Sequence, residues 1–129
     1  NSLGRYIDKR WFASKAEGDR YEQLRHMVNA GIIRELQCQP KFAFIHNGVN
    51  CGSYLADFRY FVIELGQDPR MVIEDVKGML TPEYKLKRKF FAAFWPDEYR
   101  VFAQIAGKDI RDKWPMRYPD AGECHPGKP

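Results

Sequence analysis

The chain has 129 residues, 44% hydrophobic and 29% charged, and its 21 Lys and Arg against 17 Asp and Glu give a formal net charge of +4. This balance excludes a disordered chain, fits one globular domain, and is too weakly basic to name a partner. The longest apolar run is far shorter than the ~18–20 residues of a membrane span, and the polar, charged start does not read as a signal peptide. Three scattered cysteines, Cys38, Cys51 and Cys124, make neither a disulfide framework nor a zinc knuckle, so a reducing, cytoplasmic setting is the expectation.

Residues 1–12 read as a basic, aromatic arm carrying Arg5, Tyr6, Lys9, Arg10 and Trp11. Ser14-Lys-Ala-Glu17 fits a capping box, and helical sequence follows to about Ala30, where Gly31 ends it. Tyr21, Leu24 and Val28 form that helix's core stripe. Residues 32–37 and 42–46 predict strands interrupted by Pro40, and Asn47-Gly48 predicts a hairpin turn. Residues 54–64 predict a long strand, 66–69 a loop, and 71–77 another strand closed by Gly78. Thr81-Pro82-Glu83 opens a second helix: a cap, a proline in the first turn, then an acid at the positive end of the dipole. It runs to about Phe94, with Leu86, Phe90 and Phe94 marking its buried side. Residues 98–105 predict a last strand. One domain is expected over 1–105, and 106–129 reads as an irregular tail rich in proline. Hairpin-linked strands followed by a strand-helix-strand crossover predict an α/β fold. Its mixed β-sheet is flanked by helices in the order α-β-β-β-β-α-β.

The chemistry lies in Tyr54-Leu-Ala-Asp57-Phe58 and Ile73-Glu-Asp75-Val-Lys77-Gly78. Residues two apart on a strand share a face, so Asp75 and Lys77 point the same way. If the strands pair through the 66–69 loop, Asp57 converges on Asp75. Two carboxylates beside an ammonium can bind Mg²⁺ or Mn²⁺ through hard oxygen donors, and the ion can activate water for attack on phosphorus. The alternative is a solvated strand face with a cross-strand ion pair. A second acid-x-Lys triplet, Glu83-Tyr84-Lys85, falls on the helix, where positions two apart diverge around the axis. Glu17 shares the apolar face of Tyr21 and Leu24; it is either the capping partner of Ser14 or a third carboxylate of the site. Lys85, Lys87, Arg88 and Lys89 form a basic cluster suited to backbone phosphates, or else a solvated helix face. Gln39, before Pro40, either supports the site or makes a turn. Lys108, Arg111, Lys113 and Arg117 of the tail either track DNA or face solvent. Cys124-His125 offers two metal ligands, too few for a site.

At these residues the chain resembles a family of small phage and prophage nucleases, long labelled only as a domain of unknown function, within the PD-(D/E)xK restriction-endonuclease-like superfamily. The landmarks are Phe12-Ala-Ser14-Lys-Ala-Glu17 with Arg20-Tyr21, Leu36-Gln-Cys-Gln39-Pro40-Lys-Phe42, Tyr54-Leu-Ala-Asp57-Phe58, Ile73-Glu-Asp75-Val-Lys77-Gly78, and Thr81-Pro-Glu-Tyr84-Lys85-Leu-Lys87-Arg-Lys89. They cover about residues 12–102; the arm and the tail find no match. Ala56 stands where the superfamily's nominal pattern has proline, a residue its members often lack. The resemblance implies a restriction-endonuclease-like core and a metal-dependent DNA endonuclease leaving a 5′-phosphate, acting on branched, recombination or duplex phage DNA in the bacterial cytoplasm. It implies that Asp57 and Asp75 ligate the metal, that Glu17 is a further ligand, and that Lys77 assists the attacking water. Gln39 would support the site, and Lys85, Lys87, Arg88 and Lys89 would hold the DNA backbone with weak sequence specificity. Cutting two strands takes two sites, so a homodimer is expected. A non-catalytic DNA-binding module on the same fold is the alternative.

Overall fold

A computed structural model describes residues 4–8, 10–77 and 80–107. The chain opens with a small hairpin in which β1 (Arg5–Ile7) pairs antiparallel with β2 (Arg10–Phe12). The segment expected to be an arm is therefore paired backbone. Asp8 turns it with a φ of 51°, and its last residue, Phe12, is a core side chain. Helix α1 (Lys15–Asn29) follows, with Ser14 Oγ accepting the Glu17 amide at 3.1 Å as the sequence predicts. Gly31 then takes a φ of 76°, the left-handed conformation that ends a helix at no steric cost. Tyr21 and Leu24 are buried as expected, Val28 is half-buried, and Met27 completes the stripe.

The next four strands form one long bent ribbon. Strands β3 (Ile33–Cys38) and β4 (Lys41–His46) run out, and β5 (Val49–Leu55) and β6 (Phe58–Val62) return. Asn47 and Gly48 make the tip with φ values of 50° and 77°, as a two-residue hairpin turn requires. The ribbon bends at Gln39-Pro40 on one side and Ala56-Asp57 on the other. Below the bend β3 pairs with β6; above it β4 pairs only with β5. The single strand expected over 54–64 is thus two strands broken at Ala56-Asp57. Alternation of apolar residues continues through the break, which is why the sequence conceals it. Five strands, not four, separate the first helix from the second.

Strand β7 (Arg70–Lys77) pairs antiparallel with β6, and β8 (Phe102–Ala106) pairs parallel with β7, giving the mixed order β3-β6-β7-β8. The parallel return passes through α2 (Pro82–Phe94) and the short α3 (Pro96–Tyr99). Thr81 Oγ1 accepts the Tyr84 amide and caps α2. Residues Glu98 and Tyr99 are helical where a strand is expected. Pro96 at the first turn, followed by Asp97 and Glu98, starts a helix that the apolar run beyond it cannot extend.

One face of the sheet packs on α1 through Tyr21, Leu24, Met27, Phe58, Tyr60, Val72 and Val76. The opposite face packs on α2 and the β4–β5 hairpin through Phe42, Phe44, Tyr54, Ile73, Tyr84, Phe91 and Phe102. The buried side of α2 is Tyr84, Arg88 and Phe91, not the expected row. Leu86 is 54% and Phe90 40% exposed, and Phe94 is half-buried. The helix is turned so that Phe91 meets Phe42 and Tyr54, at ring separations of 4.7 and 5.0 Å. No helix among the described residues is long and apolar enough to cross a membrane. The tail beyond Gly107, with Lys108, Arg111, Lys113, Arg117 and Cys124-His125, lies outside the described residues, as does Gly78.

Candidate active site

Strand β7 is buried on both faces, so its side chains divide between two environments. Val72, Glu74 and Val76 point toward α1, and Ile73 and Asp75 toward α2. Its carboxyl-terminal end lies beside the break between β5 and β6, because Phe58 is in register with Glu74. Asp57 therefore stands next to Asp75, and the two residues interlock through the backbone. The Asp57 amide donates to Asp75 Oδ1 at 3.0 Å and to the Glu74 carbonyl at 3.0 Å. In return, Asp57 Oδ2 accepts the Val76 amide at 2.7 Å. The Tyr54 hydroxyl donates to Asp75 Oδ2. A carboxylate has about four acceptor positions, so both acids retain capacity for a cation after these bonds.

Lys77 is placed by the strand period on the Asp75 face. Its Nζ is 3.9 Å from Asp75 Oδ2 and 4.8 Å from the centre of the Tyr84 ring, a cation–π contact that holds the ammonium over the acids. Glu17 reaches the same end of the sheet from the first turn of α1. Its carboxylate takes hydrogen bonds from the Ser14 hydroxyl and the Ala13 amide while feeling the charges of Asp57 and Lys77. The capping position and the place beside the acids are thus one position.

The electrostatics follow from crowding anions where water is scarce. Burial, and then the Asp75 charge, push Asp57 up to about 8. Burial, and then the Asp57 charge, push Glu17 up to about 7, against the pull of Lys77. Burial also raises Asp75, opposed by Lys77 and by the hydroxyl of Tyr54. Burial and the Asp75 charge raise the Tyr54 and Tyr84 phenols, keeping both neutral donors. Hard oxygen donors whose ionisation is resisted by one another's charge suit a divalent cation. Asp57 and Asp75 are the pair brought into contact. Among the described residues no three His, Cys, Asp or Glu side chains are grouped closely enough to hold one ion. Glu17 stands within electrostatic reach of the pair without joining it.

The other expected residues are distributed more widely. Gln39, with a φ of 55°, serves the site through its backbone: its amide donates to the Asp57 carbonyl at 2.8 Å, and its side chain is exposed. Lys85, Lys87 and Lys89 are exposed on α2. Arg88 is not part of that surface. It is 8% exposed, donates to Gln104 Oε1 at 2.9 Å and lies over the Tyr84 and Phe102 rings, so it builds the fold where a DNA-backbone contact is expected.

Sequence reasoning misses the residues behind the site. Glu74 is fully buried on the α1 side of β7 and is held by Arg20, whose Nε and Nη2 donate to its two oxygens at 2.9 and 2.6 Å. The Tyr60 hydroxyl also donates to Glu74, and Arg20 Nη1 donates to Gln23 Oε1 at 2.8 Å. The signal is present in the sequence: Arg20 lies three residues after Glu17 and four before Leu24, on the apolar stripe, where a charge needs a buried partner.

A mixed sheet between two helical layers, with an acid pair and a lysine at the end of its central strand, defines an α/β protein with a carboxylate site. The chain belongs to the family described as "Protein of unknown function (DUF1064)", whose profile matches residues 5–114. The match takes in the β1–β2 hairpin, which the resemblance in sequence leaves out. No curated protein and no solved structure matches the chain.

Proposed function

We propose that the protein is a divalent-metal-dependent DNA endonuclease built on a restriction-endonuclease-like core of the PD-(D/E)xK kind. The observation that carries this reading is the interlock of Asp57 with Asp75, with Lys77 Nζ 3.9 Å from Asp75 at the same end of β7. An ordinary surface ion pair would be solvated; here Asp75 is fully buried, Asp57 is half-buried, and each is fixed by a backbone amide. The antiparallel β6–β7 pair, the crossover through α2 and the parallel β8 agree with the core that the resemblance implies.

In this reading Asp57 and Asp75 hold Mg²⁺ or Mn²⁺, and Glu17 is the further carboxylate. The bound ion supplies charge stabilisation at phosphorus and a more acidic water. Lys77 orients the attacking water and offsets charge gathering on the phosphoryl oxygens. Water adds to phosphorus and loses a proton, the bond to the 3′ oxygen breaks, and that oxygen regains a proton, leaving a 5′-phosphate and a 3′-hydroxyl. Lys85 and Lys89, four apart, share one face of α2 and meet the same stretch of DNA backbone; Lys87 lies elsewhere around the axis. Substrates are phage DNA, branched or duplex, in a bacterial cytoplasm, cut by a homodimer with little sequence preference.

The test incubates the protein with supercoiled plasmid and with a four-way junction, in Mg²⁺, Mn²⁺ or EDTA, beside Asp75→Ala. The reading expects cutting with a metal and none with EDTA or the variant. A wild type that shifts DNA in a gel yet cuts neither substrate is a binding module on this fold. A wild type that neither binds nor cuts refutes both.

A further inference from the structure

Glu74 is a buried acid that the proposed reaction does not use, and it stands where the segments of the site meet. Its side chain, on the α1 face of β7, takes both prongs of the Arg20 guanidinium at 2.9 and 2.6 Å. Its carbonyl accepts the Asp57 amide at 3.0 Å, and the residue after it is Asp75. Arg20 lies about one turn of α1 beyond Glu17, so the two share a rigid helical frame. Residue 74 thus connects the elements that carry Glu17, Asp57 and Asp75.

The remaining contact between α1 and the sheet is made by Tyr21, Leu24 and Met27 against Phe58, Val72 and Val76. Apolar burial is non-directional, so it holds the helix against the sheet without setting how far along the strand it sits. A planar fork on a carboxylate fixes both distance and direction. Its surroundings lock it: the Tyr60 hydroxyl donates to Glu74, and Arg20 Nη1 donates to Gln23 Oε1 at 2.8 Å. Replacing a buried ion pair by apolar residues of similar volume is often neutral for stability, and the best-attested use of such a pair is to specify one arrangement. Glu17 has need of such a device. No three acids among the described residues are grouped closely enough to hold one ion, and Glu17 feels the Asp57 and Lys77 charges from a separate element. Its distance from them depends on where the helix lies.

We propose that the Arg20–Glu74 fork is a positioning device that sets the reach of Glu17 toward a divalent cation held by Asp57 and Asp75. The identity of the cation rests on the nuclease reading; the positioning chemistry rests on the fork alone. Arg20 and Glu74 touch neither cation nor DNA and act through Glu17.

The Mn²⁺ affinity of the full chain, read from the paramagnetic resonance of free Mn²⁺, tests this in a cycle of variants at one pH. Glu17→Gln keeps an oxygen for the Ser14 and Ala13 bonds, so the helix cap survives. In wild type it is expected to weaken Mn²⁺ binding by about tenfold, the scale of losing a group that supports the direct ligands. The background for comparison is Arg20→Met with Glu74→Leu, which fills the same space with apolar groups. It is expected to bind Mn²⁺ about tenfold more weakly than wild type, and adding Glu17→Gln to it should cost less than about twofold further. Arg20→Lys, which keeps the charge and loses the fork, serves as a second background and should fall between. Melting temperatures are measured alongside, and the background that melts nearer to wild type carries the comparison. Undiminished Mn²⁺ affinity in that background, or a Glu17→Gln loss there as large as in wild type, overturns the positioning role. So does a wild type that is indifferent to Glu17→Gln or binds no Mn²⁺. Plasmid cutting that depends on Asp75, with an affinity independent of the fork, removes the positioning role alone. A fork-dependent affinity without any cutting removes the nuclease reading and leaves the fork as the positioner of a cation site.

Discussion

Replacing Arg20 with methionine is expected to lower folding stability by about 3–5 kcal/mol, a large share of the ~5–15 kcal/mol of a typical domain. The magnitude follows from what the guanidinium leaves behind. Arg20 supplies both strong bonds to Glu74, at 2.9 and 2.6 Å, and both side chains are buried. Without it, Glu74 keeps the Tyr60 hydroxyl but has no opposite charge, and water cannot replace the missing partner. Arg20→Met with Glu74→Leu removes the stranded charge and refills the volume. That double variant should regain most of the loss, since an apolar pair often equals a buried ion pair. A double-mutant cycle by urea unfolding of the metal-free protein measures the coupling, expected to be at least about 2 kcal/mol. Calorimetry should show the single variant melting on the order of 15 °C below wild type. Arg20→Met within about 1 kcal/mol of wild type, or a double variant equal to the sum of the singles, would refute this account of the network.

Further outcomes follow for the site and the basic helix. Lys77→Ala should cut DNA at least about tenfold more slowly while its gel-shift affinity survives; equal losses would make Lys77 a phosphate anchor only. Folded Glu17 and Asp57 titrate near 7 and 8, above the ordinary carboxyl range, so the native state binds more protons than the unfolded chain between about pH 4 and pH 8. Metal-free stability should therefore fall as pH rises through that window, by on the order of a few kcal/mol in total. Asp57→Asn should flatten the profile of melting temperature against pH, and an unaltered slope would contradict the assignment. Replacing Lys85 and Lys89 with alanine should reduce the salt slope of DNA binding by about one per lysine that meets a phosphate, without changing the melting temperature. Arg88→Ala should do the reverse, because its guanidinium lies under the helix against Gln104, Tyr84 and Phe102.

Local signals were readable in the sequence because each is complete within a few residues. Ser14 before its helix, Thr81-Pro82 before the second, and Asn47-Gly48 at the ribbon tip all carry their own geometric reason. The meeting of Asp57 with Asp75 was also within reach, since strand period and one short loop suffice to argue it. What the sequence hid depends on residues distant in the chain. The break at Ala56-Asp57 lies opposite Gln39-Pro40, where Gln39 takes a φ of 55° and the ribbon bends, although its cross-strand bonds carry on through the bend: the Ala56 amide donates to the Pro40 carbonyl at 3.2 Å and the Gln39 amide to the Asp57 carbonyl at 2.8 Å. The orientation of α2 is set by Phe42 and Tyr54 selecting Phe91, which periodicity alone cannot foresee when Leu86, Phe90 and Phe94 offer an equally apolar row. Arg20 and Glu74 are 54 positions apart, and nothing local marks them as partners.

The parallel pairing of β7 with β8 has a consequence for the chain while it is being made. Strand β7 ends at Lys77 and its neighbour β8 begins only at Phe102, after two helices have emerged. Until then β7 is the open margin of the sheet, and its free amides and carbonyls could recruit a strand from another nascent chain. Arg70, Glu74, Asp75 and Lys77 stand along that margin, and charges there oppose such mispairing. Asp75 and Lys77, which the nuclease reading assigns to catalysis, are thus also charges on a strand that is an edge until β8 arrives, the kind of residue that opposes edge-to-edge pairing.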